Sequence, residues 1–422
     1  MNITRRYFLQ SSGALALYCG LAPGRLLAET GIAASSVKSV KRGKTLVVVF
    51  LRGGMDGLNF IVPYGDPAYK DLRKSILLPN PGQQDGVLDL NGFFGLNSRA
   101  GALKPLFDNG QARALHAVGY DLNTRSHFEE QDTWETGVTG NTVSSDGWLN
   151  RHLVTSKGHG PVRAISIGDN LPRILRGKAP AFALHGIADL AIPSVTKDDD
   201  VAMRAALEHA YCTPQPEHRS AAQDLLAETA QTTIEGVDVI KKAATADYKP
   251  NATYPKNEFS RRLMEAARLI KANVGLEVVE IDYGGWDTHQ NQGGAQGNYG
   301  NLVQNLADGL AAFHQDLGDL MNDTLVLTIS DFGRTAAENG TGGTDHGWAN
   351  CMLALGAVEN KAPSPIITHW PGLAKEQLHQ GRDLLHTTDF RDVLGEAVAN
   401  HLGNSLVKTV LPNHDFKPVG LV

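Results

Sequence analysis

Six short, largely apolar runs bounded by Gly or Asp constrain this chain more than anything else in it: Thr45–Leu51, Ala112–Val118, Val162–Ile167, Leu276–Ile281, Thr324–Ile329 and Cys351–Leu355. Runs of this length, rich in β-branched residues, read as parallel strands covered on both faces. Between them lie segments with helical period. In Asn301–Met321, Leu302, Leu306, Leu310, Phe313, Leu317 and Leu320 recur every three or four residues, and Thr388–Leu402 follows a cap expected at Thr387 or Thr388. Alternating strand and helix signals define the expected fold: α/β, a doubly wound, mostly parallel sheet with helices on both faces.

Residues 196–275 break the alternation. Val201–Ala210, Ala221–Ala244 and Glu258–Ala272 all read as helices, so we expect a helical insertion packed on the sheet. Residues 29–422 are then one α/β domain. Asp66–Phe94 and Gly140–Gly160 read as turn-rich loops, and Gln290–Asn301 as a flexible rim.

Composition removes some classes of function. With 39 Lys+Arg against 45 Asp+Glu in 422 residues, the chain lacks the basic excess of a nucleic-acid binder. Three Cys do not make a disulfide scaffold, and Cys351, inside an apolar run, reads as a buried thiol. No P-loop, H-E-x-x-H or G-x-S-x-G motif is present. Cys212-Thr213-Pro214-Gln215-Pro216 has Pro where the modified-cysteine sulfatase motif needs Arg.

The first residues differ from the rest. Arg5-Arg6-Tyr7-Phe8-Leu9 matches the twin-arginine export signature, and the apolar stretch Ser11–Ala22 is too short to span a bilayer. Residues 1–28 read as a signal peptide cleaved after Ala28, with Ala34 as the other candidate. Its removal takes three arginines away and moves the formal charge from −6 to −9. The expectations are a periplasmic or exported protein, the twin-arginine translocase as export partner, and no transmembrane helix in the mature chain.

In open α/β sheets, ligands bind beyond the carboxyl ends of the strands. Four strand exits carry chemistry in glycine-softened turns: Arg52-Gly53-Gly54-Met55-Asp56, Thr124-Arg125-Ser126-His127, Gly284-Gly285-Trp286-Asp287-Thr288-His289, and Ser330-Asp331-Phe332-Gly333-Arg334 followed by Gly342-Gly343-Thr344-Asp345-His346. Asp and His suit a divalent ion such as Zn or Mn. Asp287 and His289, two apart in an extended stretch, project to the same side.

These same motifs, with the twin-arginine start, resemble the exported bacterial family catalogued as domain of unknown function 1501, which itself is similar to the alkaline phosphatase and sulfatase superfamily. The resemblance implies an alkaline phosphatase-like sheet and a site for one or two divalent ions (Zn, Mn or Ca). It implies Asp56, Asp287, His289, Asp331 and His346 as metal ligands, and Ser126, or Thr124, as nucleophile. Arg334, or Arg52, would contact the transferring group. Two departures stand out: Phe332 follows Asp331 where the superfamily has His, and the spacing of Asp287 and His289 is short. A missing imidazole would then come from Asp345-His346 or from His127. The expected function is an exported metal-dependent hydrolase of a phosphate or sulfate ester, on a small molecule or an envelope polymer. The alternative is a non-catalytic envelope binding or assembly factor on the same fold.

Overall fold

The computed structural model describes residues 42–140, 144–158, 160–187, 221–359 and 364–422. The expected signal peptide, the expected helix Val201–Ala210 and Cys212 lie outside them. The main sheet is built from β1 (Thr45–Leu51), β2 (Ala112–Gly119), β3 (Ala164–Ile167), β4 (Phe182–Leu184), β5 (Val278–Tyr283), β6 (Thr324–Ser330), β7 (Asn350–Gly356), β8 (Ile366–Ile367) and β9 (Thr388–Asp389). Its order is β8-β2-β7-β6-β1-β5-β3-β4, with β9 also on β2. All pairs are parallel except those of β7, which runs antiparallel to both β6 and β2.

The six apolar runs all became strands, and the departure is the direction of β7. A parallel return to a neighbouring strand needs a crossover, usually a helix. The segment joining β6 to β7 holds no helix. It leaves and re-enters the sheet at the same end, keeping Asp331, Arg334, Asp345 and His346 at the carboxyl end of β6.

Side chains on β1 alternate between two cores, as the period of two in a strand requires. Val47, Val49 and Leu51 join one buried cluster, Leu46, Val48 and Phe50 the other. The first is covered by α4 (Glu258–Lys271) and α5 (Asn298–Leu317), through Phe259, Leu263, Leu306, Leu310 and Phe313. The second is covered by α1 (His127–Thr136), α2 (Trp148–Thr155) and α6 (Phe390–Glu396), through Trp134, Trp148, Leu149, Leu153, Phe390 and Val393. Helices on both faces make the sheet doubly wound. A further helix, α3, spans Ala221–Thr245. None of the described helices is long and apolar enough to cross a membrane.

Three local expectations change. The loop expected over Gly140–Gly160 contains α2, a short helix whose buried Trp148, Leu149, His152 and Leu153 lie on one side. The cap of α6 is Asp389, whose side chain accepts from Arg391 N, while Thr388 and Asp389 extend the sheet beside β2. The expected flexible rim is anchored by Gln292, which is fully buried. Cys351 is a free, buried thiol on β7.

Candidate metal centre

The carboxyl ends of β1, β2, β5 and β6 converge, and a few backbone conformations bring their side chains together. After β1 the chain turns through Gly53 and Gly54, both at positive φ. A Cβ on Gly53 would lie 2.6 Å from Asp287 N, so only glycine allows this approach. After β2, Arg125 takes the left-handed conformation (φ 60°) and Ser126 becomes the N-cap of α1. His127 thereby stands in the first turn of that helix. After β5, Gly285 (φ 98°) leads into Asp287 and His289. Asp331 follows β6 directly, and Asp345 and His346 come back along the connection to β7.

The centre of the rim is one oxygen, Oδ1 of Asp287. Nε2 of His289 lies 3.0 Å from it, Nε2 of His346 3.3 Å and Nε2 of His127 3.5 Å. The nitrogens of His289 and His346 are themselves 3.0 Å apart. Of these groups, His127, Asp287 and His346 place their ligand atoms within 4.8 Å of one another. His289 borders the set through its contacts to Asp287 and His346.

Each imidazole is held from behind through Nδ1. That of His127 contacts Asp331 Oδ2 at 2.6 Å, that of His346 the Arg125 carbonyl at 2.8 Å, and that of His289 Asp345 Oδ1 at 3.2 Å. Carboxylates and carbonyls only accept, so Nδ1 carries a proton, and in the neutral ring the Nε2 lone pair then faces inward. Three imidazole nitrogens then surround Asp287 Oδ1, which also accepts from the Arg334 guanidinium at 2.6 Å, so a divalent ion at this rim would share that carboxylate with Arg334. Nε2 of His127 is buried without a hydrogen-bond partner, which fits such an ion.

Charges around the rim follow from these contacts. The hydrogen bond that His127 donates to Asp331 raises the His127 pKa above its ordinary value despite partial burial. Burial pushes the Asp287 carboxyl up, but Arg334, His289 and His127 outweigh it and hold the pKa below the usual range. The same contest lowers Asp331, where His127, Gln131 and Gly53 N–H overcome burial. Burial lowers His346.

Of the residues expected from the sequence, Asp287, His289 and His346 meet at the centre. Asp331 stands one step back: Oδ1 accepts from Gly53 N at 3.0 Å, and Oδ2 from His127 and from Gln131 Nε2 at 2.9 Å. Asp56 lies fully buried in a pair with Arg73 at 2.5 Å, and also accepts from Gln292 Nε2 at 2.6 Å. Arg334 is buried beneath the rim, where it donates to the carbonyls of Gly53, Gly54, Trp286 and Thr344 and to Asp287 Oδ1 at 2.6 Å. Its donors are spent on holding the loops and Asp287 in place. Arg52 is likewise engaged, with Glu135, Gln131 and Asp282. Ser126 is half-buried at the start of α1, and its side chain makes no capping bond. His127, named in the sequence only as an alternative, holds a central place. Gln131, Arg73 and Gln292 were missed, because nothing in a turn-rich or polar stretch singles out a residue whose partner lies far away in sequence.

The rim is open, with the Asp287 and His289 side chains 46% and 40% exposed. A separate cleft at the opposite ends of β1 and β5, lined by Lys44, Thr45, Glu277 and His401 among others, contains none of these groups.

Comparison with known proteins gives one family. A family model described as "Protein of unknown function (DUF1501)" matches residues 114–405. No curated protein matches the chain. Among solved structures, the chain is similar to an alkaline phosphatase from the Antarctic bacterium TAB5, with a TM-score of 0.32 and 11% identity, over 89% of this chain and 100% of that one. A similarity that low carries no argument about activity.

Proposed function

The chain belongs to the DUF1501 family, and from the geometry of its rim we propose that it is an exported, metal-dependent hydrolase of a phosphate or sulfate ester. The observation that carries the reading is the convergence of three imidazole nitrogens on Asp287 Oδ1. His127, Asp287 and His346 would hold a divalent cation, with His289 beside them. Bound there, such an ion supplies Lewis acidity, drawing charge from an ester oxygen.

The chain's own groups supply the rest. The amino end of α1 offers backbone N–H groups outside the helix's own bonding, which suit an anionic ester, although Glu129 and Glu130 in the same turn offset the helix dipole there. Ser126, at that end and next to His127, is the candidate nucleophile. Its oxygen, or a water in its place, forms the new bond to phosphorus or sulfur. The bond to the alcohol oxygen breaks and that oxygen takes the nucleophile's proton; where Ser126 attacks, water then cleaves the seryl ester, releasing phosphate or sulfate and restoring the hydroxyl. Arg334 positions Asp287 and the glycine loop after β1 without touching the ester. Export rests on the twin-arginine start; the substrate is then a small ester or an envelope polymer outside the cytoplasm.

The test is hydrolysis of aryl phosphates and aryl sulfates by the purified mature chain. We expect turnover of one class, loss of turnover with a chelator, recovery with Zn or Mn, and at least ~10²-fold less turnover in Asp287→Ala. A folded, metal-loaded protein inert toward both classes contradicts the reading.

A further inference from the structure

We propose that the rim takes a single divalent cation of the zinc type, and that Asp331 and Asp345 are positioning carboxylates behind the imidazoles rather than ligands of a second ion. The inference rests on the reading of the rim as a metal centre and goes beyond it by fixing the number of ions, which the sequence leaves at one or two.

The count follows from where lone pairs remain. Every inward-facing nitrogen at the rim points toward one place, Asp287 Oδ1. Neighbouring ligands of a tetrahedral zinc, each about 2.0–2.1 Å from the ion, lie about 3.3 Å apart. The separations from Asp287 Oδ1 to His346 and His127, 3.3 and 3.5 Å, match that span.

Asp331 has no oxygen left over for a second ion, whereas Asp56 keeps one buried oxygen, Oδ1, without a hydrogen-bond partner. Both oxygens of Asp331 accept protein hydrogen bonds, from Gly53 N on one side and from His127 and Gln131 on the other. Asp331 and His127 form the carboxylate–histidine pair that fixes an imidazole's tautomer and aim behind a metal. Asp345 stands in the same relation to His289 and is itself held by Asn339 Nδ2 at 3.0 Å. Asp56 is neutralised by a buried guanidinium, that of Arg73, whose remaining donors go to the carbonyls of Thr335 and Ala336. A dication beside Asp56 would face that fixed positive charge in a fully buried setting, whereas Asp287, also paired with a guanidinium, is 46% exposed.

The donor set also selects the ion. Imidazole nitrogens with one carboxylate suit zinc, cobalt and similar ions, whereas calcium and magnesium take six or more oxygens. Calcium, admitted by the sequence, does not fit this rim.

The experiment is metal analysis of the purified mature chain equilibrated with Zn(II), together with its Asp287→Ala, His346→Ala and Asp331→Asn variants, and visible spectra of the Co(II) forms. We expect one equivalent in the wild type, none retained by Asp287→Ala or His346→Ala, and one in Asp331→Asn. That last variant should bind ~10–100-fold more weakly and show a shifted Co(II) band. Two equivalents in the wild type, falling to one in Asp331→Asn, overturn the single-cation inference and leave the metal-centre reading standing. No bound metal in the folded wild type overturns both. The wild-type stoichiometry decides the matter even if a variant fails to fold.

Discussion

Gly53 shows how much of the rim depends on a single residue. Its φ of 116° is open to glycine and costly to any side chain, and the missing Cβ makes room for the backbone at Asp287. Gly53 also donates its N–H to Asp331 and its carbonyl accepts from Arg334. We therefore expect Gly53→Ala to cost about 1–3 kcal/mol of backbone strain and to weaken metal binding by moving Asp287. Thermal unfolding paired with a zinc titration checks this; an unchanged midpoint with unchanged affinity would remove Gly53 from the account. Arg125 is one of several non-glycine residues at positive φ, here 60°. Its carbonyl orients His346, while the residue after it opens the helix that carries His127. Its side chain is clamped by Asp383, at 2.6 and 2.9 Å, which holds that conformation.

Among the elements, those with an apolar pattern were legible in the sequence and those without one were not. Buried strands betray themselves as continuous β-branched runs, and α5 as a stripe of leucines. By contrast α1 reads His-Phe-Glu-Glu-Gln-Asp-Thr-Trp-Glu-Thr and has no stripe; Trp134, its ring tilted 34° to that of Phe390 with centroids 4.3 Å apart, is its one deep apolar anchor. The direction of β7 was hidden because a buried strand has the same composition whichever way it runs. For the site, Asp287, His289 and His346 were visible because short motifs at strand exits carry them. The engagement of Asp56 by Arg73 was invisible, since two charged residues in separate turns give no pattern. At this scale a cap is testable: Asn257 Oδ1 accepts from Ser260 N at 2.8 Å and starts α4, the helix that covers β5 on one face. Asn257→Ala should lower stability by about 1 kcal/mol, read from denaturant midpoints at unchanged slope. A change below ~0.3 kcal/mol would show that packing alone sets this helix end.

Across the whole molecule, charged ties stand at both ends of the sheet, and the end away from the candidate chemistry carries one built on Glu277. Glu277, just before β5, takes two hydrogen bonds from Arg163, at 2.6 and 2.9 Å, and lies 3.5 Å from His152 of α2. Burial pushes its carboxyl up, yet Arg163 and His152 prevail and hold the pKa at about 2. A carboxylate depressed on folding contributes stability above its unfolded pKa and loses it as pH falls through the folded one. The contribution of Glu277 is thus complete above about pH 4.5 and gone near pH 2. We expect Glu277→Gln to lower the melting temperature at pH 7, by about 2 kcal/mol of stability, and to flatten its fall between pH 4.5 and 2. Identical acid profiles for variant and wild type would contradict this.

The other end of the sheet carries the central claim, that strand exits far apart in sequence assemble a metal centre on Asp287. The most direct measurement is anomalous diffraction above and below the zinc edge, from crystals of the mature chain equilibrated with Zn(II). One peak within coordination distance of His127 Nε2, Asp287 Oδ1 and His346 Nε2 is the expected result. No peak at that rim, or a peak bound by Asp56 instead, would contradict the account.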